Sequence, residues 1–311
     1  MKNNNANALM YHHFHDGVKH PQVQGSISGD EFERGLIYLT GKGYKIINPN
    51  EWMEKSAKRL IKSNEICITF DDGLKCQYDI ALKILDRYGY KAFWFVYSSG
   101  VKDRLDDLEI FRHFRTCCFD SIDDFYTRFD ELLLNSEFAE MVLCMLRGFK
   151  PSQYLKEFEF YTESDRKFRY IRDDILGPEK YKAAMRKMMA LSSFSIEDVT
   201  QNLWMNNEDI LTLHSQGHVL GLHSYSHPTR ISELTMLQQY DEYCRNNAHL
   251  LEVIGVGAKS MSHPCNSYND DTILALKRLG IKFGFCSNSS LLNYTELEYP
   301  RIDHSNIYKE L

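Results

Sequence analysis

Short apolar runs rich in β-branched and aromatic residues recur along the 311-residue chain, and segments with helical spacing separate them. The predicted strands are Ala8–Tyr11, Tyr44–Ile47, Ile66–Phe70, Ala92–Tyr97, Val219–Leu222, Lys259–Ser262, Ile281–Cys286 and Leu297–Ile302. Ser28-Gly29-Asp30-Glu31 opens a helix as a capping box, with Phe32, Leu36 and Leu39 on one face. Cys76–Tyr88, Asn206–Ser215, Leu234–Val253 and Asp270–Leu279 complete the helical set. Strand and helix in alternation require crossover connections, which make the strands parallel. The expected class is α/β, and with this many strands a closed barrel is favoured over an open sheet.

The rhythm breaks between Val101 and Met205, where strand signals vanish. Phe125, Phe129, Leu132 and Leu133 stand at helical spacing, as do Tyr181, Met185, Met188 and Met189, and Gly177-Pro178 marks a turn into a new helix. The expected organisation is a discontinuous barrel over 1–100 and 204–311 with a helical insertion at 101–203. The insertion's aromatics and methionines read first as core, and second as a cap facing substrate.

Charge and cysteine content narrow the function. Lys and Arg number 37 against 43 Asp and Glu, a net charge of −6, which argues against nucleic acid as a partner. No run reaches the ~18 apolar residues of a membrane span, and the Asn-rich start has no apolar leader core. The eight cysteines form no Cys-x-x-Cys pair and read as reduced thiols. A cytoplasmic protein with no transmembrane segment is the expectation.

Thr69-Phe70-Asp71-Asp72-Gly73 directly ends an apolar run. Adjacent carboxylates repel one another unless a cation or hydrogen bonds offset the charge, and Gly73 permits a turn that brings both into one pocket. The plainer role for one of them is to cap a helix starting near Leu74. His223-Ser224-Tyr225-Ser226-His227 follows a second apolar run. Histidines at i and i+4 share one face of a helical turn, close enough for one metal. Asp72, His223 and His227 then form a three-ligand set with an open coordination position, as in catalytic zinc sites, and Asp71 is left as a base. Three further clusters end apolar runs: Tyr11-His12-His13-Phe14-His15, Ser262-His263-Pro264-Cys265-Asn266-Ser267-Tyr268 and Pro300-Arg301-Ile302-Asp303-His304. Each has a plain reading, as exposed histidines or a surface Arg301–Asp303 ion pair. In a parallel barrel, however, all five clusters fall at the C-terminal face, where active sites are built.

The pairing of Thr69-Phe70-Asp71-Asp72-Gly73 with Gly217-His218 through His223-Ser224-Tyr225-Ser226-His227-Pro228 resembles the polysaccharide deacetylases, carbohydrate esterase family 4 with its NodB homology domain. The resemblance spans Ala8 to about Gly100 and Trp204 to about His304. It implies a distorted (β/α)7-type barrel, like glycoside hydrolases and deacetylases, and metal-dependent hydrolysis of an N-acyl group on a sugar. It also implies Asp71 as general base and Asp72, His223 and His227 as ligands of Zn2+, or of Co2+, Ni2+ or Mn2+. The family's usual Arg-Pro-Pro-Tyr stretch is here Ser262-His263-Pro264-Cys265, so the arginine that steadies the base is missing there, and Arg301 is its expected substitute in space. Met10-Tyr11-His12 is similar to the poly-N-acetylglucosamine branch. His12 and His304 are rival general acids, with His12 favoured.

The expected function is removal of an acetyl or formyl group from an amino sugar or glycan precursor in bacterial surface-polysaccharide biosynthesis. A backbone N–H near Pro264 and Cys265 would help to hold the oxyanion, Asp303 would support the site beside Arg301, and Tyr225, Tyr268 or Trp94 would stack on sugar. Two other readings use the same residues: an amidase of a non-sugar substrate, and a metal-binding scaffold whose insertion docks a partner. A two-carboxylate glycosidase fails, because Asp71 and Asp72 are too close in sequence to flank a sugar from opposite sides.

Overall fold

A four-residue apolar strand is stable when sheet neighbours flank it and other layers cover both faces. In the computed structural model, which describes residues 6–103, 106–156, 161–192, 194–288 and 293–308, the central strands meet that condition. They are β1 (Ala8–Tyr11), β2 (Phe14–His15), β3 (Ile27–Ser28), β4 (Lys45–Ile46), β5 (Glu65–Phe70), β6 (Phe93–Val96), β7 (Val219–Leu222), β8 (Ser260–Ser262), β9 (Phe283–Cys286), β10 (Tyr299–Pro300) and β11 (Ile302–Asp303). A nine-stranded sheet runs β10-β9-β8-β7-β6-β5-β1-β11, with β4 added beside β5, and β2 and β3 form a separate pair. Every pairing between these strands is parallel. The sheet is a nearly closed barrel of the deacetylase type.

The closure differs from the single strand expected over Leu297–Ile302. The last stretch pairs with β9 at Tyr299 and Pro300, then changes partner and pairs with β1 at Ile302 and Asp303. Arg301 is the residue at which the switch occurs, so both edges of the sheet are satisfied by one short segment.

Successive strand residues face opposite ways, and this chain has an aromatic layer on each side. One side collects Ala8, Cys67, Phe93, Phe95 and Phe285 with Ile47 and Trp52, and Trp52 Nε1 donates to the Asn7 carbonyl at 3.2 Å. The other collects Tyr11, Phe70 and Trp94 with Phe14 and Phe32, the Phe70 and Trp94 rings stacking at 4.3 Å. Gly221 lies opposite Phe95, where a Cβ would stand 2.6 Å from the Phe95 ring and 2.8 Å from the Ser260 carbonyl. The Ser28 box forms as read, with Glu31 closing it, and Asn206, Thr235 and Asn269 cap their helices in the same way.

The chain separates into two compact units, Met1–Asp106 with Thr200–Leu311, and Asp107–Val199. The second is helical among its described residues, with Phe125, Phe129, Phe168, Met185, Met188 and Met189 buried in its own core. Among the described residues no helix is long and apolar enough to cross a membrane.

Two histidines are built into the first unit as neutral rings. His218 Nδ1 accepts from Ala92 N and from Trp94 Nε1, both at 3.1 Å, so its proton sits on Nε2. His249 lies between the Ser98 hydroxyl and Asn207 Oδ1, both at 2.9 Å. Burial, aided by a nearby lysine in each case, pushes both pKa values down to about 4 from 6.5. The unfolded chain therefore binds more protons between pH 6.5 and 4, and stability falls as pH drops through that window. The slope reaches about 1.4 kcal/mol per pH unit for each ring. Urea unfolding at pH 7 and pH 5 checks this, and equal or greater stability at pH 5 would contradict it.

Candidate active site and metal centre

The interior side of the barrel is polar toward the C-terminal ends of β5, β7 and β8. On β5, Cys67 and Thr69 lead in step to Asp71, on β7 Val219 and Gly221 lead to His223, and on β8 Ser260 leads to Ser262. These polar residues are buried. The site is thus the upper layer of the same core.

Asp71 is held from three directions. Arg301 Nη1 and Nη2 donate to its two oxygens at 2.7 Å each, a bidentate pair in which the arginine side chain is 1% exposed. Arg301 also donates to Thr69 Oγ1 at 3.1 Å and to the Cys286 carbonyl at 3.3 Å. The surface Arg301–Asp303 pair therefore does not form, because the guanidinium points inward. Ser262 Oγ donates to Asp71 Oδ1 at 3.1 Å. Burial would raise the Asp71 pKa, but the charges of Arg301 and His223 and the Arg301 hydrogen bonds hold it below the usual carboxylate range. Neither Asp caps the following helix, since Gln77 Oε1 accepts from Leu74 N at 3.2 Å instead.

Asp72 faces the same interior because it adopts φ 77 itself, ahead of Gly73 at φ 63. Its Oδ1 lies 3.2 Å from His223 Nε2 and 3.4 Å from His227 Nε2, and the three donor atoms all fall within 4.8 Å of one another. His223 Nδ1 faces the Ser262 carbonyl at 3.0 Å and Ser262 Oγ at 2.7 Å. Burial would lower the His223 pKa, but the hydrogen bond from Nε2 to the Asp72 carboxylate and the charges of Asp71 and Asp72 raise it. Two imidazole nitrogens and a carboxylate converging in a buried space fit a divalent cation that would replace the imidazole proton, and they are a zinc-type donor set. Burial opposes the Asp72 charge, yet the His223 hydrogen bond and the charges of His227 and His12 keep its pKa well below the ordinary value.

The histidines do not share a helical turn as their spacing predicts. Ser224 at φ 63 and His227 at φ 54 fold the segment into a loop. Each left-handed non-glycine residue costs on the order of 1 kcal/mol. The loop is nonetheless pinned. Glu242 accepts from Tyr225 N at 2.9 Å and from Ser226 N and Oγ at 2.8 Å, while Asn246 Oδ1 accepts from His223 N at 2.9 Å. Tyr97 packs its ring 5.0 Å from that of His227, and Trp204 Nε1 and Asp106 bond the Tyr97 hydroxyl.

The rival acids separate. His12 Nε2 lies 3.8 Å from Asp71 Oδ2, with the side chain 31% exposed. His304 is buried, its ring stacked on Tyr11 at 5.5 Å and its Nδ1 3.7 Å from Asp303 Oδ1. Asp303 Oδ1 also accepts from Ser305 N at 2.9 Å. Pro264 is buried, and Cys265 is exposed at φ 49 in the turn after β8. Tyr268 stacks on His263 at 4.1 Å. Trp94 is fully buried against Phe70 and bonded to His218, so it has no face for a sugar. Tyr225 carries the Arg245 guanidinium over its ring at 3.6 Å.

Reading of the sequence missed Ser262 as a site residue, and Thr69, Glu242, Asn246 and Tyr97 as supports. Strand parity from Ser260 was the signal for Ser262. Glu242 and Asn246 lie on an ordinary amphipathic helix and carry none. Removal of Arg301 leaves a buried carboxylate without its counter-charge, so Arg301→Gln is expected to lose about 3–5 kcal/mol of stability at pH 7. Guanidinium unfolding measures it, and a loss below ~1 kcal/mol would mean the pair is not buried as described.

A family model described as polysaccharide deacetylase matches residues 59–114 and 186–284. The matched segments contain Asp71, Asp72, His223, His227 and Ser262, and exclude His12 and Arg301. IcaB from Ammonifex degensii is similar at a TM-score of 0.57 and 16% identity, over 96% of this chain and 91% of its own. The de-N-acetylase from Aggregatibacter actinomycetemcomitans is similar at a TM-score of 0.57 and 14% identity, over 98% of each chain. Streptococcus pyogenes deacetylase PplD, solved in complex with acetate, has a TM-score of 0.55 at 14% identity, over 96% of this chain and 91% of its own. At such identities the likeness is one of fold. Comparison with curated proteins gives no match.

Proposed function

The chain belongs to the polysaccharide deacetylase family, and from that premise we propose that it hydrolyses an acetyl or formyl amide on an amino sugar or glycan precursor of a bacterial surface polysaccharide. The family is metal-dependent in general. Asp72, His223 and His227 are the residues that would hold the ion, with zinc the first choice and cobalt, nickel or manganese suited to the same donors. When bound, such an ion supplies Lewis acidity for the amide carbonyl and acidifies water.

The remaining roles fall to the chain's own groups. Asp71, ionised and fixed at both oxygens by Arg301, takes the proton of the attacking water. Ser262 links that base to the His223 ring, so base and ligand keep one spacing. His12, the partly exposed imidazole beside Asp71, delivers a proton to the nitrogen as the C–N bond breaks. The products are the free amine and acetate or formate. A backbone N–H of the turn at Pro264 and Cys265 assists the oxyanion, and Tyr268 borders the sugar. Exposed thiols at Cys117, Cys118 and Cys144 suit a reducing compartment and hence a cytoplasmic precursor. The observation that carries the reading is the arginine-held carboxylate beside a buried Asp-His-His set.

Elemental analysis of the purified chain is expected to find about one transition metal per chain, with His223→Ala losing it. A wild-type protein that neither contains nor takes up zinc would overturn the assignment. On an N-acyl amino-sugar panel, Asp71→Asn is expected to lower kcat ~10²–10⁴-fold with metal retained. His12→Ala should lower kcat about 10²-fold, whereas His304→Ala should stay within a few-fold. The reverse ranking would transfer the acid role to His304. Metal binding without acyl release from sugars, linear amides or ureides would leave the scaffold reading.

A further inference from the structure

The two histidines proposed to hold the metal are placed by a helix that contributes no ligand. Residues Met236–Ile254 form that helix, and its side chains at 242 and 246, one turn apart, meet the His223–His227 loop. Glu242 Oε2 receives both Tyr225 N and Ser226 N, and its Oε1 receives Ser226 Oγ. Asn246 receives His223 N, while its Nδ2 donates to the Val96 carbonyl at 2.9 Å and to Ser98 Oγ at 2.8 Å. Peptide N–H groups at three loop positions therefore end on helix side chains, and that of His227 ends on Ser224 Oγ at 3.1 Å. Two loop residues are left-handed, so this conformation persists only where its surroundings over-determine it.

We propose that Glu242 is a positioning residue for the metal centre. Its carboxylate holds the loop in the left-handed shape that directs His223 and His227 toward Asp72, and metal affinity depends on it. Asn246 does the same for the His223 backbone and ties it to the end of β6. The inference rests on the metal reading above and adds to it a residue far from the ligand motif.

The test is zinc affinity, measured by competition with a chromophoric chelator, together with the visible spectrum of the cobalt-substituted protein. Glu242→Ala is expected to weaken zinc binding about 10–100-fold and to change the cobalt bands. Glu242→Gln keeps an oxygen for both loop N–H groups and is expected to stay within about three-fold of wild type. Glu242 is only partly buried, so the Ala chain should fold, and a thermal melt in excess chelator confirms it. Lower melting of Glu242→Ala with wild-type zinc affinity and cobalt spectrum would overturn the proposal by reducing Glu242 to a structural role. Equal losses in the Ala and Gln variants would also overturn it, by assigning the effect to charge. Failure of the wild-type chain to bind zinc is a separate result, and sinks the metal reading itself.

Discussion

Burying a guanidinium and a carboxylate together is unfavourable unless each finds nearly all of its hydrogen bonds on the other. The Arg301–Asp71 pair meets that demand with two parallel bonds of 2.7 Å, and Thr69, Ser262 and the Cys286 carbonyl take up what remains. Much of the barrel's architecture follows from this requirement. Arg301 reaches Asp71 because the chain changes strand partner at that residue. The residues before it pair with β9 and those after it pair with β1. The pair that ionises the base is also the pair at which the sheet joins its own edge.

Around this pair the barrel resolves a conflict between stability and chemistry by layering. Trp52, Phe93, Phe95 and Phe285 fill the lower interior, where apolar burial is worth about 1.5–3 kcal/mol per large side chain. The charged layer lies above it and is satisfied by named partners. The loop between the histidines has backbone angles that L side chains avoid, and it is held by side chains from a helix distant in sequence. The site is therefore no more rigid than its supports, which is the usual relation between ligands and the groups behind them.

The sequence disclosed these parts unevenly, for physical reasons. The parallel order of strands, the Ser28 box and the juxtaposition of Asp71, Asp72, His223 and His227 were legible, because periodicity and short motifs act over a few residues. The conformation of the histidine loop was not. Spacing i to i+4 is satisfied both by a helical turn and by a loop with Ser224 and His227 left-handed, and only tertiary hydrogen bonds from Glu242 and Asn246 choose between them. The switch at Arg301 was hidden for a similar reason, since one strand of six residues and two strands of two share one apolar pattern. Trp94 was misplaced because aromatic character does not report which side of a strand is covered, and here His218 and Phe70 cover it.

The seam at Arg301 bears on how the molecule is made. Asp71 and Arg301 are 230 positions apart, and a ribosome releases them in that order. During synthesis Asp71 emerges long before its counter-charge, with β1 still lacking one neighbour. A nascent barrel thus presents an exposed strand edge and an unpaired interior carboxylate until the segment around Arg301 has emerged. Sheets closed by such remote parallel pairing are slow to form and prone to edge association in the meantime. The base therefore acquires its working environment only when residues 299–303 have paired, and chains that stop short of them carry the motif residues without an assembled site.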